Sequence, residues 1–217
     1  MITFNDIKNN QEINNYITQS DLSLKALGYT EHSFAHVTKV AYNAAYILES
    51  LGYPKRDVEL AKIAGYMHDI GNLVNRIDHS QSGAVMAFKI LKDLNMDTNE
   101  IAIIVSAIGN HDEGTGIPVN HIAAALIIAD KADVRRSRVR DKNEVNVDIH
   151  DRVNYSVTNS ELKIEDNKLI LSLTLDNSIS SVLDYFEIFL KRMLMCKNAA
   201  KALNLEFKLL INNQSIL

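Results

Sequence analysis

The sequence predicts a mainly α-helical body followed by a small β-β-α-β appendage. Three observations carry this. From about residue 4 to 140, apolar residues recur at spacings of three and four, the period of a helix face. After about residue 150, apolar and polar residues alternate on both sides of Asp166-Asn167, as in a β-hairpin. A last amphipathic run, SISSVLDYFEIFLKRMLMCKNAAKAL, returns to the helical period before the short segment EFKLLIN, a third strand. The expected division is a helical domain over 1–150 and an α+β appendage over 151–217.

The elements follow in order. ITFNDIKNNQEINNYITQ forms an opening helix. SFAHVTKVAYNAAYILESLG is a second, with Gly52 as its stop. Pro54 suits the first turn of the next, PKRDVELAKIAGYMHDIG. SQSGAVMAFKILKDLN is a further helix. Asp97 and Glu100 resemble a capping box that opens IAIIVSAIGNH. Gly114, Gly116 and Pro118 mark a loop, and Asn120 is a suitable N-cap for HIAAALIIADKADVRRSRV. DIHDRVNY, residues 148 to 155, mixes charges with an aromatic residue and either covers a pocket or begins the appendage.

Bulk properties exclude several classes. Hydrophobic residues make up 47% and charged residues 23%, an ordinary globular balance. A net charge of −4 leaves no global basic field for a nucleic-acid polymer. The one cysteine, Cys196, rules out an intramolecular disulfide and a cysteine-based zinc cluster. No apolar run approaches a membrane-spanning length, and MITFNDIKNNQEINN lacks the layout of a signal peptide. The expectation is a cytoplasmic protein with no membrane partner, compatible with a homodimer.

The chemistry lies in histidines and aspartates. Of seven histidines, His36 sits in an apolar helix, and His68 with Asp69 interrupts the apolar run AKIAGYMHDIGNLV. His111 ends another helix, and Asp130 lies within AAALIIADKA. Charges in such places are costly unless something compensates them, and imidazoles with carboxylates are ligands for divalent metals. His32 lies one turn before His36 on the same face and is an alternative to it, whereas His121 and His150 read as non-ligands. Asp78 reads as structural.

In order, these segments resemble the HD superfamily of metal-dependent phosphohydrolases, over about residues 28 to 140. His36 with Lys39, Val40 and Ala44 is similar to the family's H-x-x-R-V-x-x-x-A helix, and HDIGN to its HDIGK segment. His79 and Gly83 in HSQSG, NHDEGTGIP, and DKADV resemble segments of the HD-GYP branch. Three positions depart from the pattern. Asn72 replaces a phosphate-handling lysine, Asn110 replaces the first histidine of a pair, and GYP is reduced to GIP. These departures argue against a standard cyclic-di-GMP phosphodiesterase and for two metals rather than three.

The resemblance implies an HD-domain helical bundle in which His36, His68, Asp69 and Asp130 hold one metal. Asp69, the expected catalytic centre, bridges to a second metal completed by His79 and His111. The metals would be Fe, Mn, Co, Ni, Zn or Mg, activating a water against a phosphoester or phosphoanhydride of a nucleotide or small phosphorylated metabolite. Asp133, one turn after Asp130, either orients a ligand histidine or is a surface acid. Asp112 and Glu113 stand beside His111, as support or as plain loop residues. Four of the eight arginines fall in VRRSRVR. On a continued helix, Lys131, Arg135 and Arg138 share a face and reach the substrate phosphate, with Arg76 a further donor. Two other readings share the same ligands: a regulatory, ligand-sensing HD protein with little activity, and a di-iron oxygenase.

Overall fold

The computed structural model describes residues 1–140 and 149–216. About 60% of the chain is helical, and a four-stranded sheet completes it. The opening segment divides at Asn9-Asn10 into α1 (Phe4–Lys8) and α2 (Gln11–Ala26), because the Asn10 side chain accepts from Ile13 N and starts a new helix. α3 (Phe34–Ser50) begins at the N-cap Ser33 and ends before Gly52, whose φ of 74° turns the chain. Pro54 lies at the N-cap of α4 (Lys55–Met67), one place earlier than the first turn. Next come a 3-10 turn (Ile70–Leu73), α5 (His79–Asp93), α6 (Thr98–Gly109) and α7 (His121–Lys131).

Two expectations require correction. Asp97 does accept from Asn99 N and Glu100 N, but Glu100 does not reach back to close a capping box. Its carboxylate instead takes Arg56 of α4 at 2.7 and 2.6 Å, a bidentate ion pair that outweighs a local cap. The helix of Asp130 stops at Lys131 and does not run through VRRSRV. Asp133 is turned inward against His36, Lys39 and Arg135, Arg135 is extended, and residues 136–138 form a single 3-10 turn. Lys131, Arg135 and Arg138 therefore share no helix face.

α8 (Ile149–Ser156) follows, so the expected division at residue 150 falls inside a helix. β1 (Val157–Glu165) and β2 (Lys168–Leu175) pair antiparallel around Asp166 and Asn167, both at positive φ as a tight hairpin turn demands. α9 (Val182–Ala202), opened by a Ser181–Asp184 capping box, crosses over to β3 (Glu206–Ile211), which lies parallel to β2. A two-residue strand, β4 (Gln214–Ser215), ends the sheet, in the order β1-β2-β3-β4. The inward row Leu169, Leu171 and Leu173 faces Phe207, Leu209 and Ile211 in register.

Body and appendage share one core. Its centre is α7, where Ile122 to Ala129 are fully buried, and α9 adds Tyr185, Phe189, Met193 and Cys196 to the same cluster. The Tyr46 hydroxyl of α3 accepts from Ile164 N of β1, and Ser160 donates to Ala132 O. Among the described residues, no helix is long and apolar enough to cross a membrane.

Candidate metal centre

The bundle brings the ends of several helices to one place. His68 is the C-cap of α4, His111 directly follows the C-cap of α6, and Asp130 is the penultimate residue of α7. Helix C-termini leave carbonyls without partners and carry the negative end of the dipole, which favours a cation nearby. Two of those carbonyls are used directly: Gly65 O accepts from His68 Nδ1 at 2.8 Å, and Ile108 O from His111 Nδ1 at 2.6 Å. His79 opens α5 after Asp78, whose φ of 56° turns the chain into the helix, and its Nδ1 donates to Arg76 O at 3.0 Å. His36 Nδ1 donates to Asp133 Oδ2 at 2.8 Å.

Each Nδ1 is therefore a donor, and each neutral imidazole presents the lone pair of Nε2 inward. The Nε2 atoms of His36 and His68 lie 3.3 Å apart, and those of His79 and His111 3.2 Å apart. Two lone pairs at that distance do not hydrogen-bond to each other; they need a positive charge between them. Asp69 stands between the pairs. Its Oδ2 is 3.5 Å from His36 Nε2 and 3.3 Å from His68 Nε2, while its Oδ1 is 3.5 Å from His79 Nε2 and 3.9 Å from His111 Nε2. Asp130 Oδ1 joins the first pair at 3.4 and 3.7 Å.

The structure thus gathers all six expected ligands: His36, His68, Asp69, His79, His111 and Asp130. His36 and His68 are fully buried, and the rest of the six are largely buried. Without a metal, protons supply the compensating charge at the first couple, and at the second Arg76 Nη1 stands 3.3 Å from His79 Nε2. Burial opposes protonation of His68, but Asp69 and Asp130 beside it raise it to about 10. His36 is also raised: burial and Arg138 oppose the charge, and the contacts to Asp130, Asp133 and Asp69 outweigh them. Burial pushes His111 down to about 3 and lowers His79. Burial works against the charge of Asp69 and Asp130, yet both are held well below the usual carboxylate range, chiefly by His68 for Asp69 and by Lys131 for Asp130.

A second layer fixes this geometry. Asp133 is buried and also receives Lys39 Nζ at 3.0 Å and Arg135 Nε at 2.9 Å, so its carboxylate holds His36 in one tautomer. Asn72 Nδ2 donates to Asp69 Oδ1 at 3.0 Å, and Asn72 Oδ1 accepts from Arg76 Nη1 at 3.2 Å. Asn72 therefore positions both the Asp69 carboxylate and a nearby cation.

The centre forms the floor of a cavity of about 700 Å³. Arg76, Lys131 and Arg138 line it; Arg135 does not, being paired instead with Asp133 and Glu31. Lys131 Nζ bonds Asp130 Oδ2 at 2.7 Å. His32 lines the cavity with its Nδ1 on Thr30 O, but it makes no ion pair with Asp69 or Asp130 among the described residues. Asp112 reaches within 3.8 Å of His79 Nε2. His121 is remote, bonded to Asp57 at 3.0 Å. His150 lies on the wall, contributed with Asp151 and Asn154 by α8. Sequence reasoning missed Phe189 and Arg192 of α9, which complete the wall. The available signal was a charged residue three places after a phenylalanine in an apolar run.

The HD domain family model matches residues 33–154. The uncharacterized protein MJ1020 of Methanocaldococcus jannaschii is 26% identical over 195 residues, covering 77% of this chain and 73% of that protein. Ribonuclease Y of Oceanobacillus iheyensis is 34% identical over 100 residues, 45% of this chain and 18% of the ribonuclease. Ribonuclease Y of Staphylococcus epidermidis is 32% identical over 136 residues, 59% of this chain and 24% of the ribonuclease. Among solved structures, a predicted HD superfamily hydrolase from an uncultured Thermotogales bacterium is similar with a TM-score of 0.45 and 24% identity, over 58% of this chain and 68% of that one.

Proposed function

The chain belongs to the HD domain family, and on that premise we propose that it is a divalent-metal-dependent phosphohydrolase acting on a nucleotide or small phosphorylated metabolite. The observation that carries this is the pair of facing imidazole couples with one Asp69 oxygen turned to each. His36, His68, Asp69 and Asp130 would hold one ion, and His79, His111 and Asp69 a second. When bound, two such ions polarise a phosphoryl group and acidify a water.

The chain's own side chains do the rest. Arg76 and Lys131 supply N–H donors along the cavity for phosphate oxygens, and Arg138, tied through Nε and Nη1 to Glu31 O and Asp133 O, adds positive charge to its wall. Lys131 is already tied to Asp130, so a phosphate bound by it stands against the centre. Leu27, Tyr29 and Ile77 add solvent-exposed apolar surface to the cavity lining. This row of cations supports phosphate chemistry over an oxygenase reaction. The ribonuclease Y relatives raise RNA as a second reading, but a net charge of −4 favours a small substrate over a polymer.

The test is metal analysis of purified protein, then a phosphate-release screen of nucleotides, sugar phosphates and a polyribonucleotide with added Mn²⁺, Fe²⁺, Co²⁺ or Ni²⁺. Release from small esters is expected. Bound metal without release from any ester would favour the regulatory reading, and cleavage of the polymer alone would favour RNA.

A further inference from the structure

The cavity is larger than one phosphate requires. A volume of about 700 Å³ is in the range of pockets that enclose a whole small ligand. Its cations also differ in place. Arg76 Nη1 lies 3.3 Å from His79 Nε2, and Lys131 bonds Asp130, so both touch the centre directly. Arg192 comes from α9 and meets the centre only through intermediaries. Glu113 Oε1 accepts from Arg192 Nε and lies 3.9 Å from Lys131 Nζ, which in turn holds Asp130.

We propose that Arg192 is a specificity-determining residue that binds a second anionic group of the substrate, beyond the phosphate that meets the metal centre. The preferred substrate is then a small phosphoester with another phosphate or carboxylate at its far end. The reaction rests on the phosphohydrolase reading above, whereas the binding does not.

The guanidinium is held on two sides. One face lies over the Phe189 ring at 4.3 Å, and Phe189 is itself locked in the core at 1% exposure. One edge is committed to Glu113 through Nε. The other edge, Nη1 and Nη2, has no hydrogen-bond partner among the described residues, while the side chain is only 23% exposed and lines the cavity. A planar fork fixed in this way presents two parallel N–H groups, the geometry that suits a carboxylate or phosphate. Because the side chain is already ordered, little rotamer freedom is lost on binding.

Calorimetric binding to the full-length, metal-loaded protein tests this with ligands that resist phosphoester hydrolysis: alkane bisphosphonates of graded linker length against matched alkyl monophosphonates. At least one bisphosphonate should bind about 10- to 100-fold more tightly than its monophosphonate, as expected for a charged hydrogen-bonded contact. Arg192→Gln should remove that preference with a much smaller loss for the monophosphonate, and Arg192→Lys should restore part of it. A residue that only staples α9 to the loop of Glu113 would lower the melting temperature and weaken both ligands alike. Equal affinity of the wild type for both ligands, or a preference that survives in Arg192→Gln, overturns the inference and needs no folded-variant argument in the first case. Bisphosphonate preference without phosphate release from any ester would support Arg192 while sinking the hydrolase reading; release without preference would do the reverse.

Discussion

At the residue scale, the protein must keep four imidazoles and two carboxylates together in a nearly dry place. Direction of hydrogen bonding solves this: every Nδ1 is spent on a carbonyl or on Asp133, so every Nε2 faces the centre. Two expectations follow. In metal-free protein His68 is raised to about 10, so below that pH it holds a proton that a metal ion must displace. Metal affinity should rise with pH across the neutral range and level off near the raised value, and calorimetry in buffers of different ionisation enthalpy should count between one and two released protons, because His36 is raised as well. Affinity that does not change with pH would contradict this. Asp133→Asn removes the charge that fixes His36, and should weaken metal binding by about 10- to 100-fold while the fold survives, read by metal titration alongside circular dichroism. At this scale the cluster was legible in the sequence because His36, His68, Asp69, His111 and Asp130 stand in apolar runs or at helix ends, where they are costly without a purpose, while His79 came from the family resemblance. Arg192 was not legible, since its role depends on Glu113 and Lys131, 79 and 61 positions away in the chain.

At the scale of elements, the centre depends on how closely backbones approach. Gly71, in the 3-10 turn after Asp69, leaves no room for a side chain: a Cβ there would come within 1.9 Å of His79 O and 2.4 Å of Gly83 N. Gly71→Ala must push α5 away and carry His79 with it. The expected cost is at or above the upper end of the roughly 1–3 kcal/mol typical of overpacking, seen as a lowered unfolding midpoint together with weaker metal binding. A variant with unchanged stability and metal content would show that the approach is looser. Helices were read well from periodicity, and the hairpin from Asp166-Asn167. The failures came where tertiary partners override local signals. Glu100 leaves its capping position for Arg56, and the chain after Lys131 leaves the helix because Asp133 is drawn into the interior. Neither partner is near in sequence.

At the scale of the whole molecule, the alternating pattern after residue 150 suggested an appendage, and the packing joins it to the core of the body. α9 lies in the same core as α7 and supplies Phe189 and Arg192 to the cavity wall. Truncation after residue 150 would expose the apolar face of α7, so the shortened chain is expected to lose cooperative thermal unfolding and to aggregate. A soluble, cooperatively folded and active truncation would show an independent module instead. Sequence could place the strands and α9 but could not tell on which surface α9 docks, because its buried stripe fits any apolar partner face. The central proposal is that Asp69 would serve both metal sites. Metal content of wild-type and Asp69→Ala protein, loaded and dialysed side by side, tests it most directly. The account predicts two bound ions per wild-type chain and loss of both sites in Asp69→Ala, with the variant still folded; a folded Asp69→Ala protein that keeps its full metal content would contradict it.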